Sequence, residues 1–214
     1  MIEYLQGNHA RVLSDLGQHV WLSLLPLLVG AVLALPAGYA TVRYRWLYQP
    51  VVNLGGILYS VPSLALFVVI PAIIPVGVLS PLNIVVALSV YTFALLVRTV
   101  ADALISVQGE TTRAALALGY RPLRQLVGVE LPMALPVMMA GLRVATVSNI
   151  SLVSVGAIIG VGGLGDLFSR GLQLSYLSPI VVGIVLSVLL AAVCDLAIVL
   201  LQRRLTPWTR VGAR

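Results

Sequence analysis

Charged residues divide the chain into long apolar stretches, and these stretches predict membrane-spanning helices. No charged residue occurs from Val20 to Val42, or in the much longer run from Trp46 to Val97. Because a helix needs about 20 apolar residues to cross a bilayer, the first stretch predicts one span and the second is long enough for two.

A proline-rich connector separates the second predicted span from the third. The segment 71–81 contains three prolines and a glycine, which are residues that interrupt a helix. We therefore expect span two at about 51–70 and span three at about 82–97, with further spans at 131–161 and 179–201. The pattern predicts an all-α, polytopic membrane protein with about five transmembrane helices. It leaves open a sixth, re-entrant segment at the N-terminus or in the connector.

The composition agrees with a membrane protein and excludes several other classes. Of the 214 residues, 60% are hydrophobic and only 9% are charged, whereas a soluble domain carries about 25% charged residues. The net charge of +6 is not concentrated in one stripe, which argues against a nucleic-acid partner. The single Cys194 rules out an internal disulfide. His9 and His19 have no companion ligands, so we expect no metal site and no cofactor.

The chain also lacks the residues needed to hydrolyse ATP. All 13 basic residues are arginines, whereas the phosphate-binding loop of many ATPases requires a lysine. No other catalytic constellation is visible, so the chain is not expected to be an enzyme.

The distribution of arginines predicts the orientation in the membrane. Most of them fall in the segments 43–50, 98–130 and 202–214. Because cytoplasmic loops carry an excess of basic residues, we expect the N-terminus outside and the C-terminus inside. The expected organisation is an external N-terminal segment 1–19, a membrane domain 20–202 containing the polar loop 98–130, and a cytoplasmic tail 203–214.

The polar loop 98–130 carries the most informative motif of the chain. Its small residues would let a partner surface approach closely, and a glycine after a short helix permits a left-handed turn. The motif residues are Arg113, Ala114, Ala115, Gly119, Val129, Leu131 and Pro132.

This spacing resembles the EAA loop of importer-type ABC transporter permeases. That loop reads Glu-Ala-Ala, three residues, Gly, nine residues, an aliphatic residue, one more residue and Leu-Pro. Arg113 stands where the family usually has Glu. Either the partner presents an acidic groove, or the chain is one of two unequal permeases whose mate keeps the glutamate. The resemblance implies a type I ABC importer permease fold, with 98–130 as the loop that contacts the ATPase.

The resemblance covers roughly residues 18–205 and extends to one branch of the family. Tyr59 to Leu66, 132–171 and the glycine-rich Gly160 to Asp166 resemble permeases for osmoprotectants, which import glycine betaine, choline, carnitine or proline betaine. The implied location is the bacterial plasma (inner) membrane. The implied partners are a cytoplasmic ABC ATPase dimer, a second copy or a paralogous permease, and an external substrate-binding protein. A methionine permease, a non-ABC scaffold and a secondary transporter remain alternatives.

Several polar residues fall inside predicted spans. Arg143 lies about twelve residues into span four, or roughly 18 Å, and a charge at that depth must face protein or water. It either pairs with Asp195 or acts in a transport pathway. Ser148, Asn149 and Ser151 either bond neighbouring helices or line an aqueous path.

The segment from Gly160 to Gly165 fits the glycine spacing of dinucleotide-binding proteins. That fingerprint requires a flanking strand and helix, whereas this segment lies between two predicted spans. We instead expect a flexible turn at the outer surface.

Overall fold

The computed structural model describes residues 2–208, apart from the side chains of Ile2 and Glu3, and the described part is mostly helical with no strand. Its helices are α1 Ile2–Arg43, α2 Arg45–Ser60, α3 Ser63–Ile73, α4 Pro81–Val107, α5 Glu110–Ala117, α6 Pro122–Gln125, α7 Leu131–Val155, α8 Gly165–Gln173 and α9 Leu177–Leu205. A π-helical turn, Leu126–Glu130, joins α6 to α7, and a 3-10 turn, Gly156–Ile159, follows α7. The predicted all-α class is confirmed.

The structure also confirms about five membrane spans. The helices α1, α4, α7 with its extensions, and α9 are each long and apolar enough to cross a bilayer. The pair α2 and α3, which are bent by 108° relative to each other, forms either a broken fifth span or a re-entrant loop. The bend lies at Val61 and Pro62, which are both extended. Proline disfavours the helical conformation of the residue before it, so Pro62 accounts for the break at Val61.

Two helices extend beyond the spans that were expected from the stretches without charged residues. Helix α1 begins at Ile2, with one non-helical residue at Asn8, so the described part of 1–19 continues the first span. Helix α4 continues to Val107 instead of ending near 97. Its last turns are amphipathic, because one side buries apolar residues while Arg98 and Asp102 form an exposed ion pair of 3.5 Å. A stretch without charged residues indicates only the part of a helix that lies in the hydrocarbon layer. An amphipathic helix can continue beyond that layer.

Helix α4 lies at the centre of the fold. It packs against α1, α2, α3 and α7. Glycines on the neighbouring helices permit this close packing: a Cβ atom at Gly30 or Gly141 would overlap Thr92 or Thr99 of α4. By contrast, none of the most apolar stretch of α9 is buried within the described chain. Helix α9 therefore occupies the periphery, where lipid or another subunit covers it.

The glycine-rich segment after α7 is packed, so the expectation of a flexible turn is wrong. Residues 161–165 are all buried. Gly163 has a φ of +47°, and a Cβ atom there would lie 2.9 Å from the Asp15 carbonyl oxygen and from the His19 Cα. The backbone N–H of Leu164 donates to His19 Nδ1 at 3.2 Å, and His19 Nε2 bonds the Ile150 carbonyl at 2.9 Å. His19 therefore fastens this segment and α7 to α1.

A methyl group at Gly163 should destabilise the protein. Gly163→Ala combines a left-handed backbone with steric overlap against α1, and overpacking of this kind costs about 1–3 kcal/mol. Thermal unfolding in detergent should show a lower midpoint. Gly17→Ala is the control, because no neighbouring atom lies within 4 Å of a Cβ atom placed on Gly17 in α1. The control should be neutral or slightly stabilising. Equal midpoints for the two variants would contradict the packed segment.

Candidate functional site

The short helix α5 ends in a turn that requires its glycine. Gly119 has a φ of +79°. The N–H of Gly119 donates to the Leu116 carbonyl at 2.9 Å, and the N–H of Tyr120 donates to the Ala115 carbonyl at 3.1 Å. These two bonds form a Schellman motif with glycine in the left-handed position. No atom lies within 4 Å of a Cβ placed on Gly119, so the requirement for glycine comes from the backbone conformation alone.

A π-helical turn connects the loop directly to the fourth span. Pro122 begins α6 at a position where its missing N–H is harmless. Further along, the N–H of Leu131 donates to the Leu126 carbonyl, one residue farther back than in an α-helix. Pro132 has no N–H and its ring would crowd the carbonyl four residues earlier, so the wider turn accommodates it. The second half of the loop is therefore continuous with α7.

One face of the loop, which we call the inner face, packs against the body of the chain. Gln125 and Glu130 are buried, and Gln125 Nε2 donates to Glu130 Oε1 at 2.6 Å. The pair lines a cavity of about 260 Å³ together with residues at the ends of α1 and α4 that adjoin the loop. Ala115 also faces inward and is only 4% exposed. The expectation that Ala115 would pack on an ATPase therefore needs correction, since the chain itself covers that side chain. Val129, Leu131 and Pro132 are half-buried.

The outer face of the loop is both basic and apolar. Arg113 and Ala114 are exposed there, and Arg124 lies over the Tyr120 ring at 5.2 Å from its centroid. Four exposed apolar residues were missed by the sequence reasoning, and Leu118 is the most exposed of them at 78%. The four are Leu116, Leu118, Leu123 and Val127. Their signal in the sequence is the presence of large apolar side chains in short helices outside the predicted spans. Leu116 also borders the cavity beside Gln125 and Glu130, so we call Arg113, Ala114, Leu118, Leu123 and Val127 the outer loop face.

The structure brings Arg143 and Asp195 together. Arg143 Nε donates to Asp195 Oδ1 at 2.6 Å, and Arg143 Nη2 donates to Asp195 Oδ2 at 2.9 Å. Both residues lie about ten to twelve residues from the ends of α7 and α9 that adjoin the loop and the tail. Their side chains stay 41% and 32% exposed, so the single chain does not bury them as expected. The pair is bidentate and electrically neutral.

The three polar residues expected on the same helix separate into two groups. Asn149 is buried, and its Nδ2 donates to Thr92 Oγ1 at 2.9 Å and to the Ser23 carbonyl at 3.3 Å. It therefore joins α7 to α4 and α1. Ser148 is half-buried beside Arg143 and Asp195 in an open cavity of about 490 Å³. Ser151 is exposed, one helical turn from Ser148 on α7. Among the described residues, no three His, Cys, Asp or Glu side chains are grouped as a metal site would require.

The sequence matches the family of binding-protein-dependent transport system inner membrane components over residues 26–207. The chain belongs to this family. It is 35% identical over 208 residues to the osmoprotectant import permease protein OsmW of Salmonella typhimurium, covering 96% of this chain and 97% of that relative. It is 30% identical over 205 residues to the glycine betaine/carnitine/choline transport system permease protein OpuCD of Bacillus subtilis, covering 95% and 88%.

The fold of the chain matches that of a solved transporter. A chain of the MetNI methionine ABC transporter, in an inward facing conformation, superposes with a TM-score of 0.82 over 91% of this chain and 96% of that one. The sequence identity is 23%, so this similarity shows the fold alone. The predicted importer permease fold is confirmed. As an ABC importer permease, the protein works with an ATPase and a substrate-binding protein.

The pair of Arg143 and Asp195 should couple strongly in a double-mutant cycle. Arg143→Leu or Asp195→Leu leaves one charge unpaired at membrane depth, so each should lower folded yield and thermal stability. The double variant should be less damaged than the sum of the two single variants. Thermal unfolding of the four proteins in detergent measures the coupling.

The exposed pair of Arg98 and Asp102 supplies the control cycle. Water solvates both of its charges, and exposed pairs contribute little to stability. Its two single changes should be mild and nearly additive. Additive losses of thermal stability for the Arg143 and Asp195 variants would contradict their interaction as an ion pair.

Proposed function

We propose that the chain is the membrane-spanning permease subunit of an ABC importer for compatible solutes such as glycine betaine, choline, carnitine or proline betaine. The similarity to osmoprotectant permeases along nearly the whole of both chains carries this proposal. A methionine permease is the second candidate. It is disfavoured because the likeness to the methionine transporter is one of fold at 23% identity.

ATP hydrolysis in this proposal belongs to a dimer of separate cytoplasmic subunits. The outer loop face contacts a groove of the ATPase, while the buried inner face transmits the movement. The helix α6, the π turn and α7 form one continuous helical segment. Displacement of the loop therefore moves the fourth span as a rigid body. Two permeases, either identical or paralogous, then alternate between outward and inward openings.

The charge of the outer loop face indicates the chemistry of the groove. Arg113, Arg121 and Arg124 are exposed around apolar side chains. A matching groove is apolar at its centre and acidic at its rim. The presence of Arg113 in place of the usual glutamate is thereby explained within this chain, while a paralogous mate that keeps the glutamate is the alternative.

We place the transport path along the exposed side of α7. Val144, Val147, Ser148 and Ser151 lie on that side, at the helical spacing i, i+3, i+4 and i+7, and are not fully covered by the described chain. Arg143 is adjacent, but its bidentate bond to Asp195 neutralises its charge. A cationic substrate would therefore meet little repulsion there.

Assembled in proteoliposomes with its ATPase and binding protein, the permease should import labelled glycine betaine or choline and exclude methionine. Gly119→Val should insert in the membrane yet fail to couple transport to hydrolysis, because a β-branched residue in a left-handed conformation costs about 1–2 kcal/mol. Gly119→Asn is the matched control, since asparagine tolerates that conformation. Import of methionine alone would refute the proposed substrate class. Normal transport by Gly119→Val would refute the coupling role of the loop.

The orientation is an independent prediction. Five crossings place the two termini on opposite sides, and the arginine distribution puts the N-terminus outside. Ser14 and Leu118 are both exposed. In a Cys194→Ala background, Ser14→Cys should react with an impermeant thiol reagent added to intact cells. In cells that produce the permease without its ATPase, so that the outer loop face is uncovered, Leu118→Cys should react only after the membrane is opened. Labelling of both sites from the same side would exclude the five-span arrangement.

A further inference from the structure

The break between α2 and α3 exposes irregular backbone at membrane depth. Val61 and Pro62 are extended, and Ser60 and Pro62 are exposed. The hydroxyl of Tyr91 donates to the Val61 carbonyl, which fixes the level of the break. Tyr91 lies ten residues into α4, about 15 Å along a helix of about 40 Å. The break therefore lies near the middle of the membrane.

Two carbonyl groups at the end of α2 are not used within the described chain. The Ile57 carbonyl accepts from Ser60 Oγ at 2.7 Å, and the Leu58 carbonyl accepts from the Val61 N–H at 3.4 Å. Within residues 2–208, no hydrogen bond reaches the carbonyl oxygens of Tyr59 and Ser60. These oxygens lie at the negative end of the α2 dipole.

Lipid cannot satisfy such carbonyls. Non-helical backbone occurs at membrane depth only where protein buries it or where it lines a water-filled cavity. The described chain leaves this segment exposed. The break therefore faces either water or a second permease, and both surround the path of an importer built from two permeases.

The last turn of α2, which carries the free carbonyls, also carries an exposed aromatic side chain. Tyr59 is 45% exposed. Its ring meets the buried Tyr91 ring edge to face, with centroids 5.8 Å apart and planes at 74°. Both rings line a small cavity of about 10 Å³ together with Ser148 and Asn149 of α7. The break thus adjoins the side of α7 that we assign to the transport path, and no charged residue occurs from Trp46 to Val97.

We propose that the Tyr59 ring and the carbonyl oxygens of Tyr59 and Ser60 form a contact site for a trimethylammonium group in transit. This inference rests on the proposed function. A quaternary ammonium has no hydrogen to donate, so an aromatic ring and partially negative oxygens are the groups that attract it. The site has no carboxylate, and weak attraction allows the substrate to leave again.

The first test asks whether water reaches the break, independently of transport. Ser60→Cys and Leu189→Cys are compared in a Cys194→Ala background, because Leu189 is also exposed but lies on the peripheral helix α9. In the assembled complex, a methanethiosulfonate carrying a trimethylammonium group should modify Ser60→Cys at least about tenfold faster. Excess choline should slow that reaction. Equal rates at the two positions would overturn the aqueous location, and no effect of choline would overturn the site.

The second test changes the ring. Tyr59→Leu should reduce choline uptake about 3- to 30-fold at saturating binding protein, which corresponds to the usual strength of cation–π contacts. Tyr59→Phe keeps the ring and should transport normally. The concentration of loaded binding protein at half-maximal uptake should not change, because the contact occurs after docking. Tyr44→Leu, at an exposed tyrosine near the membrane edge, is the control.

The outcomes separate the inference from the proposed function. If the unaltered complex imports choline and Tyr59→Leu behaves like Tyr44→Leu, the contact site is wrong and the function stands. If the unaltered complex imports no trimethylammonium solute, the proposed function is wrong and the cation assignment fails with it. In that case rapid modification of Ser60→Cys would still locate the aqueous path.

Discussion

The need to satisfy backbone polar groups inside a bilayer governs this fold. A continuous helix satisfies them by itself, so every interruption needs a local solution. At Pro132 the solution is a π turn, which keeps the helix continuous despite the missing N–H. After α7 it is the His19 ring, which accepts from the N–H of Leu164 in the buried glycine-rich segment. At the break before Pro62, the Val61 carbonyl accepts from the Tyr91 hydroxyl, whereas within residues 2–208 the carbonyls of Tyr59 and Ser60 receive no hydrogen bond.

The polar loop 98–130 has two different faces. On one face, Gln125 and Glu130 are buried and bonded to each other, and they line a cavity together with residues near the ends of α1 and α4. Its other side is left with large exposed apolar residues that only a partner can cover. The two alanines of the motif lie on different faces of the loop: Ala115 is buried against the chain itself, and Ala114 is exposed. A small residue at 115 lets α5 lie close to its own body.

Polar side chains within the membrane serve two purposes. Asn149 holds α7 to α4 and α1, and the pair of Arg143 and Asp195 holds α7 to α9. These groups have their hydrogen-bonding capacity occupied by protein. Within residues 2–208, Ser148 and the carbonyls of Tyr59 and Ser60 have no such bonds, and Ser148 and Tyr59 line the same small cavity. The distinction between occupied and free polar groups separates the scaffold from the proposed path.

The sequence alone determined the helical class, about five spans and the spacing of the loop motif. It could do so because hydrophobicity, charge gaps and proline positions act within a few residues of chain, and the break before Pro62 has the same local origin. The tertiary structure decided which face of each helix is covered. Asn149 and Ser148 are adjacent in sequence, yet Asn149 is buried because Ser23 and Thr92 lie against it. The glycine-rich segment is buried because α1 packs against it. Such contacts join residues that are far apart in the chain, so a local sequence pattern does not predict which residues will be in contact.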